Sequence, residues 1–302
     1  MCETVDYANE KKLNILNLLP RGEQGGIERL CLDVARLSAE NNHFYFMWGG
    51  GSVADQILEY TNQVVVRNFT YQNIVREYFV LREYVVRNDI NIIILQVPSP
   101  VFLIYISWIK KRFPHIRVCA YIHADPNLIF DSRLKKIQFK LFQKYCDKNI
   151  AISKFVEKQL VRDYEIKNIS VIYNGTDIDR FNIRKEKKVT NKINMVYVGR
   201  LAPEKGLNLL IEALSEVEFE FQLVIVGEGA CLSDLKRLVS VIGISDYVVF
   251  SGASDSVEEF LGEADIFVHP TVCNEGFGIT LIEAMAAGVP CVAFARGLYL
   301  KS

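Results

Sequence analysis

Short, almost wholly apolar runs alternate along this chain with longer stretches in which apolar positions recur every three or four residues. The runs at 13–19 (LNILNLL), 43–48 (HFYFMW), 63–67 (QVVVR), 91–96 (NIIILQ), 116–122 (IRVCAYI), 148–152 (KNIAI) and 169–172 (ISVI) predict strands. Apolar on both faces, they suit a parallel sheet covered on both sides. Helices are predicted between them at 27–41, 71–88, 100–112, 129–145 and 153–163. A charged stretch without an apolar face, 177–192 (DIDRFNIRKEKKVTNK), predicts a linker. The alternation then restarts, with strands at 193–198, 221–226, 247–250, 265–269 and 289–294 and helices near 205–217, 230–242, 255–262 and 277–287. The prediction is an α/β protein of two Rossmann-like, doubly wound domains, over 1–176 and 193–302. Ligands bind beyond the C-terminal ends of parallel strands, so a site is expected in a cleft between the two domains.

Composition narrows the classes. The 302 residues are 50% hydrophobic and 24% charged, which excludes disordered and fibrous chains. The formal net charge is −1, and no nucleic-acid partner is expected. The charge is unevenly spread, however. Residues 101–200 carry 21 Lys and Arg against 9 Asp and Glu, while residues 201–302 carry 5 against 15. Seven scattered cysteines form no C-x-x-C pair, the four histidines are scattered too, and the N-terminus MCETVDYANEKK lacks an apolar segment. Reduced thiols, no structural zinc, no secretory signal and a cytoplasmic location are the expectations. The longest apolar region, Ile90–Ile109, is broken by Gln96, Pro98, Ser99 and Pro100, and predicts a strand followed by a helix rather than a membrane span.

Two motifs carry chemistry. In Gly199-Arg200-Leu201-Ala202-Pro203-Glu204-Lys205-Gly206, a strand ends near Arg200 and a helix starts near Lys205. Two cations at a helix N-terminus, between glycines that admit close approach, suit a diphosphate. A turn with surface charges is the other reading. In Glu275-Gly276-Phe277-Gly278-Ile279-Thr280-Leu281-Ile282-Glu283, the glycines open a helix whose free N–H groups face outward. Glu283 sits in a helix with almost no polar face, so its carboxylate needs partners, and a ribose diol supplies two donors. A solvent-facing Glu at the helix edge is the alternative.

Together these residues resemble a glycosyltransferase of the GT-B fold, of the retaining family 4 type that uses nucleotide-sugar donors. Glu275 and Glu283 have the E-x7-E spacing, and the G-R-L-x-x-E-K-G octet matches as well. Gly25-Gly26-Ile27-Glu28, Ile152-Ser153-Lys154 and Asn174-Gly175-Thr176-Asp177 also match, so the resemblance runs from about residue 13 to residue 294. It implies that Arg200 and Lys205 hold the donor diphosphate, that Glu283 binds the ribose, and that Glu275 contacts hydroxyls of the transferred sugar. It implies further that the backbone at Phe277 and Gly278 lies against the donor, and that Gly25 and Gly26 let a cleft loop close on the acceptor side. His123, a core or loop histidine if taken alone, matches the family's histidine near the reacting carbon. No protein nucleophile and no divalent metal are expected, because positioning and charge stabilisation suffice.

The implied reaction moves a hexose-type sugar from a nucleotide diphosphate to a glycan or lipid-linked glycan. A nucleotide-sugar 2-epimerase of the same fold and an inactive nucleotide-binding remnant are the alternatives. Asp177-Ile178-Asp179 reads as a turn rather than a metal site, and Gly227-Glu228-Gly229 as a weak G-x-G that borders the nucleotide. The spacing Gly22-x-x-Gly25-Gly26 is not a dinucleotide fingerprint. Lys136, Lys140, Lys144 and Lys148, with Trp108, Lys110, Lys111 and Arg112, are expected to form a basic surface suited to an anionic membrane leaflet; a solvated helix face is the other reading. Leu134, Ile137, Leu141 and Phe142 lie elsewhere on the same predicted helix. Relatives continue past Ala293 with a sixth strand and further helices, so the chain reads as C-terminally truncated, with an incomplete second domain.

Overall fold

A computed structural model describes residues 12–23, 25–182 and 191–294. Its contacts divide the chain into two compact units between Tyr173 and Asn174. The first unit holds strands β1 (Asn14–Leu19), β2 (Asn41–Phe46), β3 (Val64–Val66), β4 (Ile92–Leu95), β5 (Arg117–Ile122), β6 (Lys148–Ala151) and β7 (Ile169–Val171). Its helices are α1 (Gly26–Leu37), α2 (Ser52–Leu58), α3 (Ile74–Arg87), α4 (Pro100–Arg112), α5 (Pro126–Ile129), α6 (Arg133–Phe142) and α7 (Lys154–Tyr164). All seven strands pair in parallel, in the order β3-β2-β1-β4-β5-β6-β7. One face buries Leu16, Leu18, Ile93 and Leu95 with residues of α3 and α4, while the other buries Leu19, Phe44 and Phe46 with residues of α1 and α2. That double coverage is why the central strand residues are largely apolar, with polar side chains such as Asn17, Asn42 and His43 as exceptions.

The second unit adds α8 (Ile178–Phe181), β8 (Ile193–Val198), α9 (Leu207–Leu214), β9 (Phe221–Val226), α10 (Leu232–Ile242), β10 (Val248–Gly252), α11 (Val257–Glu263), β11 (Ile266–His269), α12 (Ile279–Ala286) and β12 (Cys291–Ala293). The sheet is again wholly parallel, in the order β10-β9-β8-β11-β12. Each sheet therefore grows outward from its first strand, then returns to add the remaining strands on that strand's other side. The reversal lies between β1 and β4 in one unit and between β8 and β11 in the other. Loops leaving the two strands of such a pair diverge, and a crevice opens between them.

The structure departs from the periodicity in three places. The helix expected at 129–145 starts later, as α6, where Ser132 Oγ accepts from the Lys135 N–H at 3.3 Å, and the separate short helix α5 before it is capped by Asp125 Oδ1, which accepts from the Asn127 N–H at 2.9 Å. The helix α2, seven residues long, was too short to be seen by its period. Part of the expected linker is packed structure: α8 buries Phe181 beside Val196 and Phe267, and Arg180 Nε donates to Glu258 at 2.9 Å. Asp177 Oδ1 accepts from the Asp179 N–H at 3.1 Å and so caps α8. The rest of the linker, residues 183–190, and the end of the chain, residues 295–302, on which the expected truncation rests, lie outside the described residues.

Candidate functional site

At the reversal between β8 and β11, the loop leaving β8 turns back on itself. Tyr197, fully buried, donates its hydroxyl to the Arg200 carbonyl at 3.0 Å. A 3-10 turn over Pro203–Lys205 follows and ends on Gly206 at φ +66°. A Cβ on Gly206 would run into the Pro270 carbonyl oxygen, so only glycine lets this loop lie against the one leaving β11. The Val272 N–H donates to the Glu204 carbonyl at 3.0 Å and ties the two loops together.

That approach brings Lys205 Nζ to 2.7 Å from Glu275 Oε2, with both side chains about one-fifth exposed. His269, the last residue of β11, is buried, and its Nε2 stands 3.6 Å from the same carboxylate oxygen and 3.0 Å from Thr271 Oγ1. Burial alone would raise the Glu275 pKa. The His269 contact and the Lys205 ammonium outweigh it and hold the carboxyl down at about 2. Arg200, from the same octet, is largely exposed and pairs with Glu204 at 2.8 Å, a surface contact of little net strength.

The other residues expected in the second unit lie at the start and within the first turns of α12. Gly278 is the N-cap of α12, with Phe277 just before it. Glu283 lies one turn into the helix, is 8% exposed and has an interaction partner in the fold. Gly227 and Glu228 have a structural task. The Leu201 N–H donates to the Glu228 carbonyl at 2.8 Å, and a Cβ on Gly227 would collide with the Gly199 carbonyl. The weak G-x-G is thus the seat on which the octet rests.

The first unit places its candidates differently. Gly25 is the N-cap of α1 and Gly26 its first residue, both exposed in the loop leaving β1. His123 follows the last residue of β5, its ring 4.1 Å from that of Tyr121. Its Nε2 meets Gln96 Oε1 at 2.8 Å, and burial pushes its pKa down to about 3 although part of the residue reaches the surface. Gln96, which ends the run after β4, and Asn17, within β1, are 4% and 2% exposed and hydrogen-bonded to each other at 2.9 Å. In the sequence Gln96 stands only as a break in an apolar run, and Asn17 and His269 belong to no motif. A polar side chain inside an otherwise apolar parallel strand was the available signal. Ser153 is fully buried and caps α7 through the Val156 N–H at 3.2 Å.

The basic surface also changes. Lys110 is taken up by the fold, donating to the Ile116 carbonyl at 2.6 Å and to Asp147 at 2.7 Å. On α6 the only buried side chain is Phe139, while Leu134, Ile137 and Leu141 are 73%, 45% and 63% exposed among Arg133, Lys135, Lys136 and Lys140. A cavity of about 190 Å³, lined by Val97, Pro98, Leu103, Phe130 and Gln138 among others, lies beside this helix. Among the described residues no helix is long and apolar enough to cross a membrane.

Comparison with known proteins adds two family matches: Glycosyltransferase Family 4 over residues 24–180, and Glycosyl transferases group 1 over residues 179–301. An uncharacterized glycosyltransferase of Methanocaldococcus jannaschii is 29% identical over 187 residues, 61% of this chain and 50% of that protein. The GDP-mannose-dependent alpha-(1-6)-phosphatidylinositol monomannoside mannosyltransferase of Mycobacterium tuberculosis is 35% identical over 138 residues, 39% of this chain and 36% of the enzyme. The chain thus spans half or less of the length of these two relatives. An uncharacterized glycosyltransferase of Haemophilus influenzae is 26% identical and covers 90% of this chain. Among solved structures, Anabaena HepE in complex with UDP and glucose superposes with a TM-score of 0.78 at 20% identity, covering 94% of this chain and 81% of that one. A glycosyltransferase from Rickettsia africae superposes with a TM-score of 0.79 at 20% identity, covering 95% and 80%. These two likenesses are likenesses of fold.

Proposed function

The chain belongs to glycosyltransferase family 4, and from that premise we propose that it is a retaining hexosyltransferase, taking its sugar from a nucleoside diphosphate. The observation that carries the proposal is the Lys205–Glu275 pair at the reversal between β8 and β11. A cation and a carboxylate held together at a sheet's ligand-binding crevice match the two ends of a sugar diphosphate. Lys205 and Arg200 take the diphosphate oxygens, and Glu275 accepts from hydroxyls of the sugar. The donor thus replaces one ion pair with two sets of charge-assisted contacts. Phe277 and Gly278 lie along the donor at the N-terminus of α12, and Glu283 takes the ribose hydroxyls. His123 serves the reacting end of the sugar, and Gly25 and Gly26 the acceptor loop.

In this reading the bond from the anomeric carbon to the diphosphate breaks as a bond to the acceptor oxygen forms on the same face. The acceptor proton passes to the departing phosphate oxygen. No protein nucleophile takes part, and two cations with a helix N-terminus balance the leaving charge, so turnover needs no divalent metal. The acceptor is a glycan or lipid-linked glycan at the cytoplasmic face of a membrane. The exposed Leu134, Ile137 and Leu141 among lysines on α6 support that placement, since each basic residue near an anionic leaflet contributes about 1 kcal/mol. The apolar cavity beside α6 suits the lipid part of such an acceptor.

The test is incubation with UDP- and GDP-hexoses, with and without glycan and lipid-linked acceptors, in excess EDTA. Acceptor-dependent nucleotide release, with the donor's anomeric configuration kept in the product, is the expected result. Conversion of the donor sugar without any acceptor would replace the transferase with an epimerase. Loss of turnover in EDTA with rescue by Mg²⁺ or Mn²⁺ would remove the metal-independent mechanism.

A further inference from the structure

Across the first sheet, near the reversal between β1 and β4, runs a line of buried amides whose direction is fixed at both its anchors. Asn42 Nδ2 faces the Glu40 carbonyl at 3.3 Å and Ser38 Oγ at 2.9 Å. A backbone carbonyl only accepts, so nitrogen must face it and Asn42 Oδ1 must face the other way. There it accepts from Asn17 Nδ2 at 3.2 Å, and that same nitrogen faces the His43 carbonyl at 3.3 Å, a second anchor of the same sense. Asn17 Oδ1 is therefore the acceptor for Gln96 Nε2 at 2.9 Å. Gln96 Oε1 is left to face His123 Nε2 at 2.8 Å. Turning any one amide over would set oxygen against oxygen in a buried place.

We propose that Gln96 and Asn17 are positioning residues that hold His123 as its Nε2–H tautomer and keep Nδ1 as a fixed hydrogen-bond acceptor. The direction passes from backbone carbonyls through Asn42, Asn17 and Gln96 to the ring, across β2, β1, β4 and the end of β5. Burial keeps that ring neutral, in agreement with a group that accepts. The use made of Nδ1 rests on the proposed transferase reading: a neutral acceptor nitrogen takes a hydrogen bond from a hydroxyl of the transferred sugar. Gln96 and Asn17 then act on the reaction through His123 alone.

The tautomer is read directly, and without turnover, from long-range nitrogen–proton NMR of protein carrying ¹⁵N-histidine, with the His123 signal assigned by its loss in His123→Gln. The expected wild-type spectrum at neutral pH shows a neutral ring with its proton on Nε2. Asn17→Ala, which does not touch His123, and Gln96→Met, which keeps the volume of the side chain, should each lose the single-tautomer signature. Both should lower kcat about tenfold with KM little changed, as a misoriented group would. A wild-type ring protonated on Nδ1, or charged at neutral pH, overturns the proposal whatever the variants do. So does an unmixed Nε2–H tautomer in both variants. An Nε2–H ring in a protein that transfers no sugar would leave this inference standing and remove the transferase reading instead.

Discussion

The two sheets reverse direction at equivalent places and fill those places with opposite chemistry. Between β8 and β11 the groups are ionic, carried on loops, and partly open to water: Lys205 and Glu275, with His269 beneath them. Between β1 and β4 they are neutral, carried on strands or at strand ends, and deeply buried: Asn17 and Gln96, leading to His123. An ion pair on loops exchanges its partner for a ligand with little rearrangement, because each member alone is a strong binding group. A closed line of amides cannot exchange partners cheaply, but it fixes orientation. Topology places a crevice; the residues around it decide whether it holds charge or sets direction.

The sharpest way to break that comparison is Glu275→Gln. On the proposed roles it should lower turnover by about 10²–10³-fold, the usual cost of one preorganised polar contact to the reacting group. It should not weaken binding of bare UDP or GDP, since it also releases Lys205 from its partner. Calorimetry beside a turnover assay decides, and a parallel loss of nucleotide affinity would mean that Glu275 does not face the sugar.

Lys205→Ala should do the reverse. A loss of about 1.5–3 kcal/mol in nucleoside diphosphate affinity is expected, the range for charged hydrogen bonds, with the same direction for Arg200→Ala. Asn17→Ala, in the other sheet, should leave that affinity untouched. Equal losses from Lys205→Ala and Asn17→Ala would erase the distinction between the two reversals. A smaller effect is expected for Glu283→Gln, about 1–1.5 kcal/mol in nucleoside diphosphate affinity with no change in affinity for pyrophosphate, the sign that a ribose contact was lost.

Acid should separate the two units more gently. The folded pKa of His123 is about 3, below the unfolded value near 6.5, so its contribution is present above pH 6.5 and drains away as pH falls toward 3. That of Glu275 is about 2 against 4.5 unfolded, so its contribution is lost only between pH 4.5 and 2. Each unmatched proton removes about 1.4 kcal/mol per pH unit. Trp48 and Trp108, the chain's two tryptophans, both lie in the first unit, so their fluorescence follows that unit alone. Denaturant midpoints read by tryptophan should start to fall below pH 6.5. A midpoint flat down to pH 4.5 would show that His123 titrates as an exposed histidine does.

Much of this was legible in the residues. Strands such as 193–198 and 221–226 were readable to the residue, because burial on both faces leaves mostly apolar side chains, with Asn194 and Gln222 the polar exceptions. The octet and the Glu275–Glu283 motif marked, as sequence, the two loops that leave β8 and β11 and that the fold ties together. The pairing of Lys205 with Glu275 was not legible, since it joins residues 70 apart that only the parallel register brings together. Nor was the outward face of α6: Leu134, Ile137 and Leu141 have the spacing of a core stripe, and Phe139 alone takes that place. Asn17 hid in plain view, a polar residue inside LNILNLL whose partners come from β2 and from just past the end of β4.

The strand order also sets a schedule. As the chain leaves the ribosome, β1 has β2 available to pair with, and β2 has β3, while the other edge of β1 stays open until β4 appears after residue 90. Every contact across that seam, Asn17 with Gln96 above all, belongs to the later half of the sheet's assembly, when long-range parallel pairing is slow. A stalled or shortened nascent chain ending before β4 would present an open, apolar strand edge and an unmated Asn17 amide to whatever chaperone meets it first. The seam where the finished protein opens its crevice is thus also where the unfinished one is most exposed, and β8 repeats the same wait for β11.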